Sequence, residues 1–171
     1  MPAPTRPSPS TSTSSSPSAW SGFAAAEPGF ARIAEDRFRR FVHHTLATLR
    51  ADGSPRTSGI EVRFQRGEVW LGMMAGSLKA LDLRRDPRFS LQANLGPGTE
   101  MDGGDVRISG RAVEVTDPAE VAIYVEATKP PEPFHLFRTE LTEVVRTHVE
   151  GAFLYVQVWN PGSPARTLKR S

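Results

Sequence analysis

The sequence predicts a mainly β protein, a small closed barrel of antiparallel strands with a few short helices. Alternation of apolar and polar residues recurs in about six or seven separate runs, as expected for strands. Near Gly110 this alternation slips by one residue, which indicates a β-bulge, and bulges bend strands so that a sheet can close. Helical spacing is confined to a few short segments. This combination favours a barrel over a two-sheet sandwich.

The first predicted element is an amphipathic helix over residues 30–42. Apolar residues recur at helical spacing from Phe30 to Val42, and charged residues occupy the opposite side. His43 and His44 follow at the end of this helix. Neighbouring helical side chains point in different directions, so we expect these histidines to be structural or exposed and not a metal pair.

Three strands are predicted next, as a meander. Residues 45–50 and 56–64 are joined by a turn at 51–55 that contains the Asp-Gly pair typical of hairpins. A second turn at 65–67 leads into the apolar run 68–74. Short turns between consecutive strands place them antiparallel in one sheet.

A short helix follows the meander, with Ser77 as its predicted N-cap and Lys79 in its first turn. Residues 88–95 then alternate as a strand. The glycine-rich loop 96–104 lacks the lysine of a phosphate-binding P-loop, so we interpret it as a connection. The bulged strand covers residues 105–115.

The last helix has several N-terminal signals. Asp117 is its predicted N-cap, Pro118 occupies the first helical position and Glu120 is the capping-box partner. Residues 129–134 are expected to form a rigid, proline-rich linker. Two long strands joined at 150–151 complete the predicted barrel.

Charge and composition exclude several classes of protein. The 171 residues suffice for one domain, and 21 Lys and Arg stand against 19 Asp and Glu. Four of the basic residues lie in the predicted tails: Arg6, Arg166, Lys169 and Arg170. The predicted domain between the tails is therefore nearly neutral, which argues against nucleic-acid binding. The absence of cysteine excludes disulfides, thiolate metal sites and cysteine nucleophiles.

The predicted domain covers residues 20–165 and lies between two tails. Residues 1–19 are rich in Ser, Pro and Thr and are expected to be disordered, and residues 166–171 are expected to form a basic C-terminal tail. No apolar run approaches the roughly 20 residues of a membrane span, and the N-terminus lacks the apolar centre of a secretory signal. We therefore expect a cytoplasmic protein.

Lys79 stands where helix electrostatics disfavour a cation. The first turn of a helix carries partial positive charge, so a lysine there is mildly unfavourable unless an anion is bound nearby. Ser77, Lys79 and the free amides of that turn would together hold a phosphate group. The alternative is that Lys79 extends into solvent, and helix electrostatics alone favour that alternative.

Residues 46–92 resemble the flavin-binding split-barrel family typified by pyridoxamine 5'-phosphate oxidase, which includes deazaflavin-dependent relatives. The matching features, in order, are "LATLRADGSPR", a strand containing Ser58, "EVWLGMM", and "SLKALDLRRDPR" with its Ser-x-Lys pattern followed by Arg-Asp-Pro. The resemblance implies a six-stranded antiparallel split barrel of the FMN-binding type. It also implies a homodimer with the cofactor between the two subunits.

By position, the resemblance assigns a set of residues to the cofactor. Ser77 and Lys79 would hold its phosphate, and Asp105 would approach the ring from the partner subunit. The full predicted set is Arg56, Thr57, Ser58, Gly59, Ile60, Glu61, Gly72, Met73, Ser77, Lys79, Asp105 and Trp159. Trp159 either covers a cofactor edge or is an ordinary core residue, and the sequence leaves both open. No catalytic residue and no metal ligand is assigned.

The function implied by the resemblance is that of an FMN-dependent oxidoreductase, which transfers hydride or electrons between a nicotinamide or small organic substrate and an acceptor. The arginine and histidine substrate motif of true pyridoxamine phosphate oxidases is missing near the C-terminus, so that reaction is not expected. Two alternatives stay open: a deazaflavin (F-420)-dependent reductase, and a non-catalytic flavin- or haem-binding protein. A histidine near the cofactor slot would favour haem. Neither nucleic acid nor membrane is expected as a partner.

Overall fold

A computed structural model describes residues 19–96 and 104–171 of the protein. Within these ranges the chain forms twelve elements of secondary structure. In order they are α1 (Trp20–Ala26), α2 (Pro28–Arg39), β1 (His43–Leu49), β2 (Pro55–Gln65), β3 (Glu68–Met74), α3 (Leu78–Arg85), β4 (Arg88–Gln92), β5 (Asp105–Glu114), α4 (Pro118–Thr128), β6 (Phe134–Glu150), β7 (Phe153–Trp159) and β8 (Arg166–Arg170). The residues predicted to be disordered, 1–19, and most of the glycine-rich loop lie outside the described residues, apart from Ala19, Gly96 and Gly104.

The strands form one antiparallel sheet in the order β3-β2-β1-β4-β5-β6-β7-β8. β3 also pairs with the first residues of β6, and this pairing closes a ring of six strands. β7 and β8 continue the sheet beyond the ring, along the second half of β6. The predicted six-stranded antiparallel split barrel is therefore confirmed.

Gly110 marks the point at which β5 bends. The register between β5 and β6 shifts between Ser109 and Gly110, as the slip in the sequence pattern predicts. A Cβ atom at Gly110 would overlap the carbonyl oxygen of Glu140. Glycine is therefore the residue that lets the two backbones approach this closely at the bulge.

Two helices close one end of the barrel, where the sequence analysis predicted one. Pro28 begins α2, and α1 precedes it with Phe23 completely buried. His43 and His44 begin β1 instead of ending the helix, so the strand sends them to opposite sides. His44 is buried with its ring 5.0 Å from that of Phe38, whereas His43 is exposed.

The last residues of the chain differ from the expected basic tail. Arg166–Arg170 form β8, which pairs with β7 along five residue pairs. All five side chains of β8 are exposed, which is why the amino-acid composition of this segment resembles that of an unstructured tail. The strand forms because β7 offers a free edge whose backbone groups need partners, a tertiary feature that the local sequence does not reveal.

α4 lies on the outside of the barrel. Its N-cap is confirmed, since Asp117 Oδ1 accepts hydrogen bonds of 3.0 Å from the backbone N–H groups of Ala119 and Glu120. Tyr124 of this helix packs with Trp70, among others, in a small cluster separate from the barrel core. The helix therefore covers part of the outer face of β3 and β6 and forms one side of the pocket described next.

Candidate functional site

A pocket of about 360 Å³ opens on the outside of the barrel. Its lining comes from β2, β3, the first turn of α3, the end of α4 and the segment that follows α4. Six residues of the predicted set lie together in it: Gly59, Ile60, Glu61, Gly72, Met73 and Lys79. Three separate segments of the sequence therefore converge on one cavity.

Lys79 projects into this pocket from the first turn of α3. Its Nζ donates a 2.5 Å hydrogen bond to the carbonyl oxygen of Gly59. Burial lowers the pKa of Lys79 below its ordinary value, because the charged ammonium loses water there. No described carboxylate forms an ion pair with Lys79. An anion bound beside Nζ would supply the missing countercharge.

The N-terminus of α3 has unused hydrogen-bonding groups. Ser77 occupies the N-cap position, but its hydroxyl makes no capping bond, and the Oγ atom is buried without a partner in the described chain. Ser58 Oγ is also buried and unpaired among the described residues. The backbone N–H groups of Leu78 and Lys79 have no described acceptor either. The Ser77 hydroxyl and these two amides are the kind of donors that hold a phosphate group, whereas Ser58 lies on the inward face of β2 and outside the pocket lining.

The charges that line the pocket are mainly positive. Arg63, Lys79 and Lys129 face it together with one carboxylate, that of Glu61. The Glu61 carboxylate lies 3.6 Å from His43 Nε2 and 3.8 Å from a guanidinium nitrogen of Arg63. The net positive charge favours an anionic ligand in the pocket.

Gly72 lies beside a tyrosine that the sequence analysis did not select. A Cβ atom on Gly72 would overlap the hydroxyl of Tyr124 and lie 3.0 Å from its Cζ. Tyr124 is only 7% exposed, and burial raises the pKa of its phenol, which therefore stays protonated near neutral pH. Tyr124 thus brings a hydrogen-bond donor to the pocket wall.

Gly72→Ala is expected to destabilise the protein by about 1–3 kcal/mol, because the added methyl group must displace the Tyr124 ring. Urea unfolding measures this change. Gly59→Ala is the matched control, since a Cβ there meets nothing within 4 Å. The double variant Gly72→Ala/Tyr124→Phe should recover part of the loss. If Gly72→Ala and Gly59→Ala were equally stable, the close contact between Gly72 and Tyr124 would be contradicted.

Comparison with known proteins places the chain in a family. The sequence model of pyridoxamine 5'-phosphate oxidase matches residues 34–148, which is more than half of the chain and includes the six strands of the barrel except for the last two residues of β6. The chain belongs to the pyridoxamine 5'-phosphate oxidase family. No curated protein sequence matches this family member at a significant level.

Three solved structures illustrate how widely the fold is shared. An FMN-binding, pyridoxamine 5'-phosphate oxidase-related protein from Nostoc punctiforme is 16% identical with a TM-score of 0.61, over 85% of this chain and 96% of that one. PhzG from Burkholderia lata, in complex with tetrahydrophenazine-1-carboxylic acid, is 15% identical with a TM-score of 0.60, over 87% and 91%. A haem-binding protein from Mycobacterium smegmatis is 17% identical with a TM-score of 0.50, over 80% and 57%. At these identities the likeness establishes the fold and not the activity.

Three residues of β2 that were predicted to contact the cofactor lie outside the pocket lining. Arg56 forms an ion pair with Asp82 of α3, with Nε 2.6 Å from Oδ2. Thr57 points to the exposed outer face of the sheet, and Ser58 points inward. Arg56 is thus held under α3 by a carboxylate 26 residues away in the chain.

Asp105 and Trp159 lie away from the pocket. Asp105 pairs with Thr147 of β6, whereas the pocket residue Met73 pairs with His135, so the two sites are separated by about 40 Å along that strand. Trp159 is 2% exposed, with its ring 4.7 Å from that of Phe23. Its side chain is a core residue and contributes nothing to the pocket surface.

The histidines that the sequence left without partners acquire them in the fold. His135 lies beside Glu114 and Arg84, and His148 stacks on Tyr155 at 5.4 Å. No group of three or more potential metal ligands occurs within residues 19–96 and 104–171. Among the helices within these residues, none is both long enough and apolar enough to cross a membrane.

Proposed function

We propose that the pocket binds FMN and that the protein is a flavin-dependent oxidoreductase. The observation that carries this proposal is that Lys79 lines the pocket from the first turn of α3, where the N-cap hydroxyl of Ser77 and two amide groups have no described partner. Ser77 itself lies beside the pocket and outside its lining. A phosphate group supplies the acceptors that these donors lack. The first turn of α3 then holds the phosphate, and Lys79 supplies its positive charge.

The isoalloxazine ring would lie along the outer face of β2. A Cβ at Gly59 would point into open space, so the glycine leaves room for a planar ligand to approach the backbone. Met74 is 73% exposed at the pocket and offers adaptable apolar contact. Tyr124 would donate a hydrogen bond from the opposite wall, and Arg63 and Lys129 would hold further negative charge.

When bound, FMN would supply hydride or electron transfer between a nicotinamide or small organic substrate and an acceptor. The chain's own contribution is to orient the cofactor and to set its electrostatic surroundings. The net positive charge of the pocket favours an electron-rich, anionic reduced ring. We do not assign pyridoxamine phosphate oxidation, because the C-terminal strand lacks the arginine and histidine pattern that the reaction is associated with.

We further propose a cytoplasmic homodimer with the cofactor at its interface. Asp105 lies opposite Thr147 and the pocket residue Met73 lies opposite His135, twelve residues apart along β6, so a second copy is the simpler way to bring Asp105 to a cofactor. The outer faces of β1 and β2 present small, exposed side chains, among them Thr45 and Thr57. Sedimentation of the full chain should give twice the monomer mass, and a Thr45→Arg variant should sediment as a monomer.

The visible absorption spectrum of the purified full chain tests the cofactor directly. Titration with FMN should give a perturbed, saturable flavin spectrum. Titration with the deazaflavin F-420, which also carries a phosphate and a planar tricycle, tests the reductase alternative. If FMN fails to bind and F-420 saturates the protein, the FMN proposal is wrong.

Haem binding is a second candidate, and one observation favours it. His43 lines the pocket, which provides a histidine within reach of a bound iron. The haem-binding protein from Mycobacterium smegmatis has the same fold. A Soret band that appears with haem and is lost in His43→Ala would support this candidate. A flavin spectrum unaffected by His43→Ala supports the first one.

A further inference from the structure

His135 occupies a cluster next to the phosphate end of the pocket but outside its lining. It is the second residue of β6, and its side chain is 15% exposed. Nε2 accepts a 3.3 Å hydrogen bond from the backbone N–H of Gly76. Because a backbone N–H only donates, Nε2 carries no proton, and the neutral ring holds its proton on Nδ1.

The other side of the ring is held by an ion pair. Nδ1 lies 3.2 Å from Glu114 Oε1, and in the tautomer that accepts from Gly76 it donates its proton to that carboxylate. Arg84 Nη2 also lies 3.2 Å from Nδ1, but it donates to the Glu114 carboxylate instead. Arg84 clamps the same carboxylate with two hydrogen bonds of 2.7 Å and 2.6 Å. These contacts lower the pKa of Glu114, chiefly through the bonds from Arg84, so the acceptor stays ionised. The ring orientation is therefore determined on both sides.

Gly76 is the residue through which His135 acts on the site. It adopts a left-handed conformation with φ +71° between the end of β3 and the N-cap Ser77. The turn is otherwise held by Ser77 N–H to Met74 O at 3.2 Å and Ala75 N–H to Pro133 O at 3.3 Å. The direction of this turn sets where the free amides of α3 and Lys79 point.

We propose that His135 is a positioning residue for the phosphate end of the cofactor. Its Nε2 fixes the Gly76 turn so that the first turn of α3 and Lys79 converge on one anion. Glu114 and Arg84 hold the imidazole in the tautomer that accepts from Gly76. This inference rests on the proposed FMN function and names residues in the chain that control its phosphate affinity.

Two substitutions of His135 test separately the hydrogen bond at Nε2, to Gly76, and the one at Nδ1, to Glu114. In His135→Gln the side-chain oxygen takes the place of Nε2 and still accepts from Gly76. In His135→Asn the amide NH₂ takes the place of Nδ1 and still donates to Glu114, but the acceptor for Gly76 is lost. The two variants have similar polarity, so each is the control for the other.

The readout is the ratio of the dissociation constants of riboflavin and FMN, since the two ligands differ only in the phosphate. We expect His135→Asn to lower this ratio by about fivefold, the worth of one ordinary hydrogen bond, with riboflavin affinity unchanged. His135→Gln should keep the ratio within about twofold of the wild type. Thermal unfolding verifies that both variants are folded.

Several outcomes would overturn the inference. An unchanged ratio in His135→Asn, or an equal loss of both flavins, would leave His135 with a structural role only. Should His135→Asn fail to fold, Glu114→Leu removes the acceptor that orients the ring, and it must lower the ratio in the same direction. Failure of wild-type protein to bind FMN is a separate result, which removes the proposed function and this inference together.

Discussion

Lys79→Ala is expected to weaken FMN binding by about 10- to 100-fold, because a charge-assisted hydrogen bond contributes about 1.5–3 kcal/mol. The ammonium lies half-buried in the pocket with a backbone carbonyl as its acceptor and no described carboxylate partner. It is therefore available to a phosphate. Fluorescence titration with FMN and with riboflavin measures the effect, and riboflavin affinity should change little.

Two matched variants sharpen the Lys79 experiment. Lys79→Arg retains the charge and should keep most of the FMN affinity. Lys129→Ala removes a pocket cation that comes from the end of α4 and not from the first turn of α3, and we expect its effect not to discriminate FMN from riboflavin. Equal losses of FMN and riboflavin in Lys79→Ala would contradict the assignment of the phosphate site.

The pH dependence of FMN affinity gives an independent check on Lys79. In the protein without ligand, burial lowers the pKa of Lys79 below the ordinary lysine value of 10.5. A bound phosphate would raise that pKa again. The protonated form binds the phosphate, so affinity should be complete near neutral pH and fall as the pH rises through the lowered pKa. The Lys79→Arg variant should not show this decline over the same range.

Asp82→Ala is expected to lower the free energy of unfolding by about 3 kcal/mol, since it removes a buried carboxylate and leaves the partly buried guanidinium of Arg56 without its ion-pair partner. Asp82 is 3% exposed. It accepts from Arg56 Nε at 2.6 Å, from Thr48 Oγ1 at 2.9 Å and from Arg85 at 3.0 Å. These bonds tie α3 to β1 and β2 beneath the proposed phosphate site. FMN affinity should decrease together with stability.

Urea unfolding measures the effect of Asp82→Ala, with Asp86→Ala as the control. Asp86 also pairs with an arginine on the surface, Arg88, with 65% of the arginine side chain exposed, so its loss should have a much smaller effect. A loss as large in Asp86→Ala as in Asp82→Ala would contradict the argument from burial.

Acid should reduce the contribution of Asp82 in a defined direction. Burial opposes its ionisation, but hydrogen bonds from Arg56, Arg85 and Thr48 outweigh burial and lower the pKa of Asp82 below 3.8. Because the pKa of Asp82 is lower in the folded protein than in the unfolded chain, its ionised carboxylate contributes its full stabilisation above about pH 3.8. This stabilisation is lost as the pH falls through the pKa of the folded state. The stability difference between wild type and Asp82→Asn should therefore narrow below about pH 4.

Local patterns predicted the elements correctly wherever the physical cause was also local. The Asp-Gly hairpin turn, the cap at Asp117 and the bulge at Gly110 depend on residues close in sequence, and all three are present. The predicted helix over 30–42 failed at both ends because tertiary packing decided them. α1 forms by burying Phe23 against the core, and His44 joins a strand by pairing with β2.

Half of the predicted site residues lie together in one pocket, and their role in binding a cofactor stays a prediction. Gly59 and Lys79 lie together because a meander and the following helix return to the same place. Tyr124 was missed because it lies in α4, where nothing in its surroundings signals a site, and its contact with Gly72 spans 52 residues. Arg56 was assigned to the cofactor by its position in the family resemblance, and its ion pair with Asp82 was not foreseen because the two residues are 26 positions apart in the chain.

Periodicity, turn residues and motif spacing are local properties, and they were enough to predict the class of fold, the order of strands along the chain, the family and the position of the Ser77–Lys79 turn. The tertiary structure alone sets which side chains face one another. It joined Arg56 to Asp82, buried Trp159 in the core, set Tyr124 over Gly72 and brought His135 to the Gly76 turn. These pairings depend on barrel closure, which brings distant segments together.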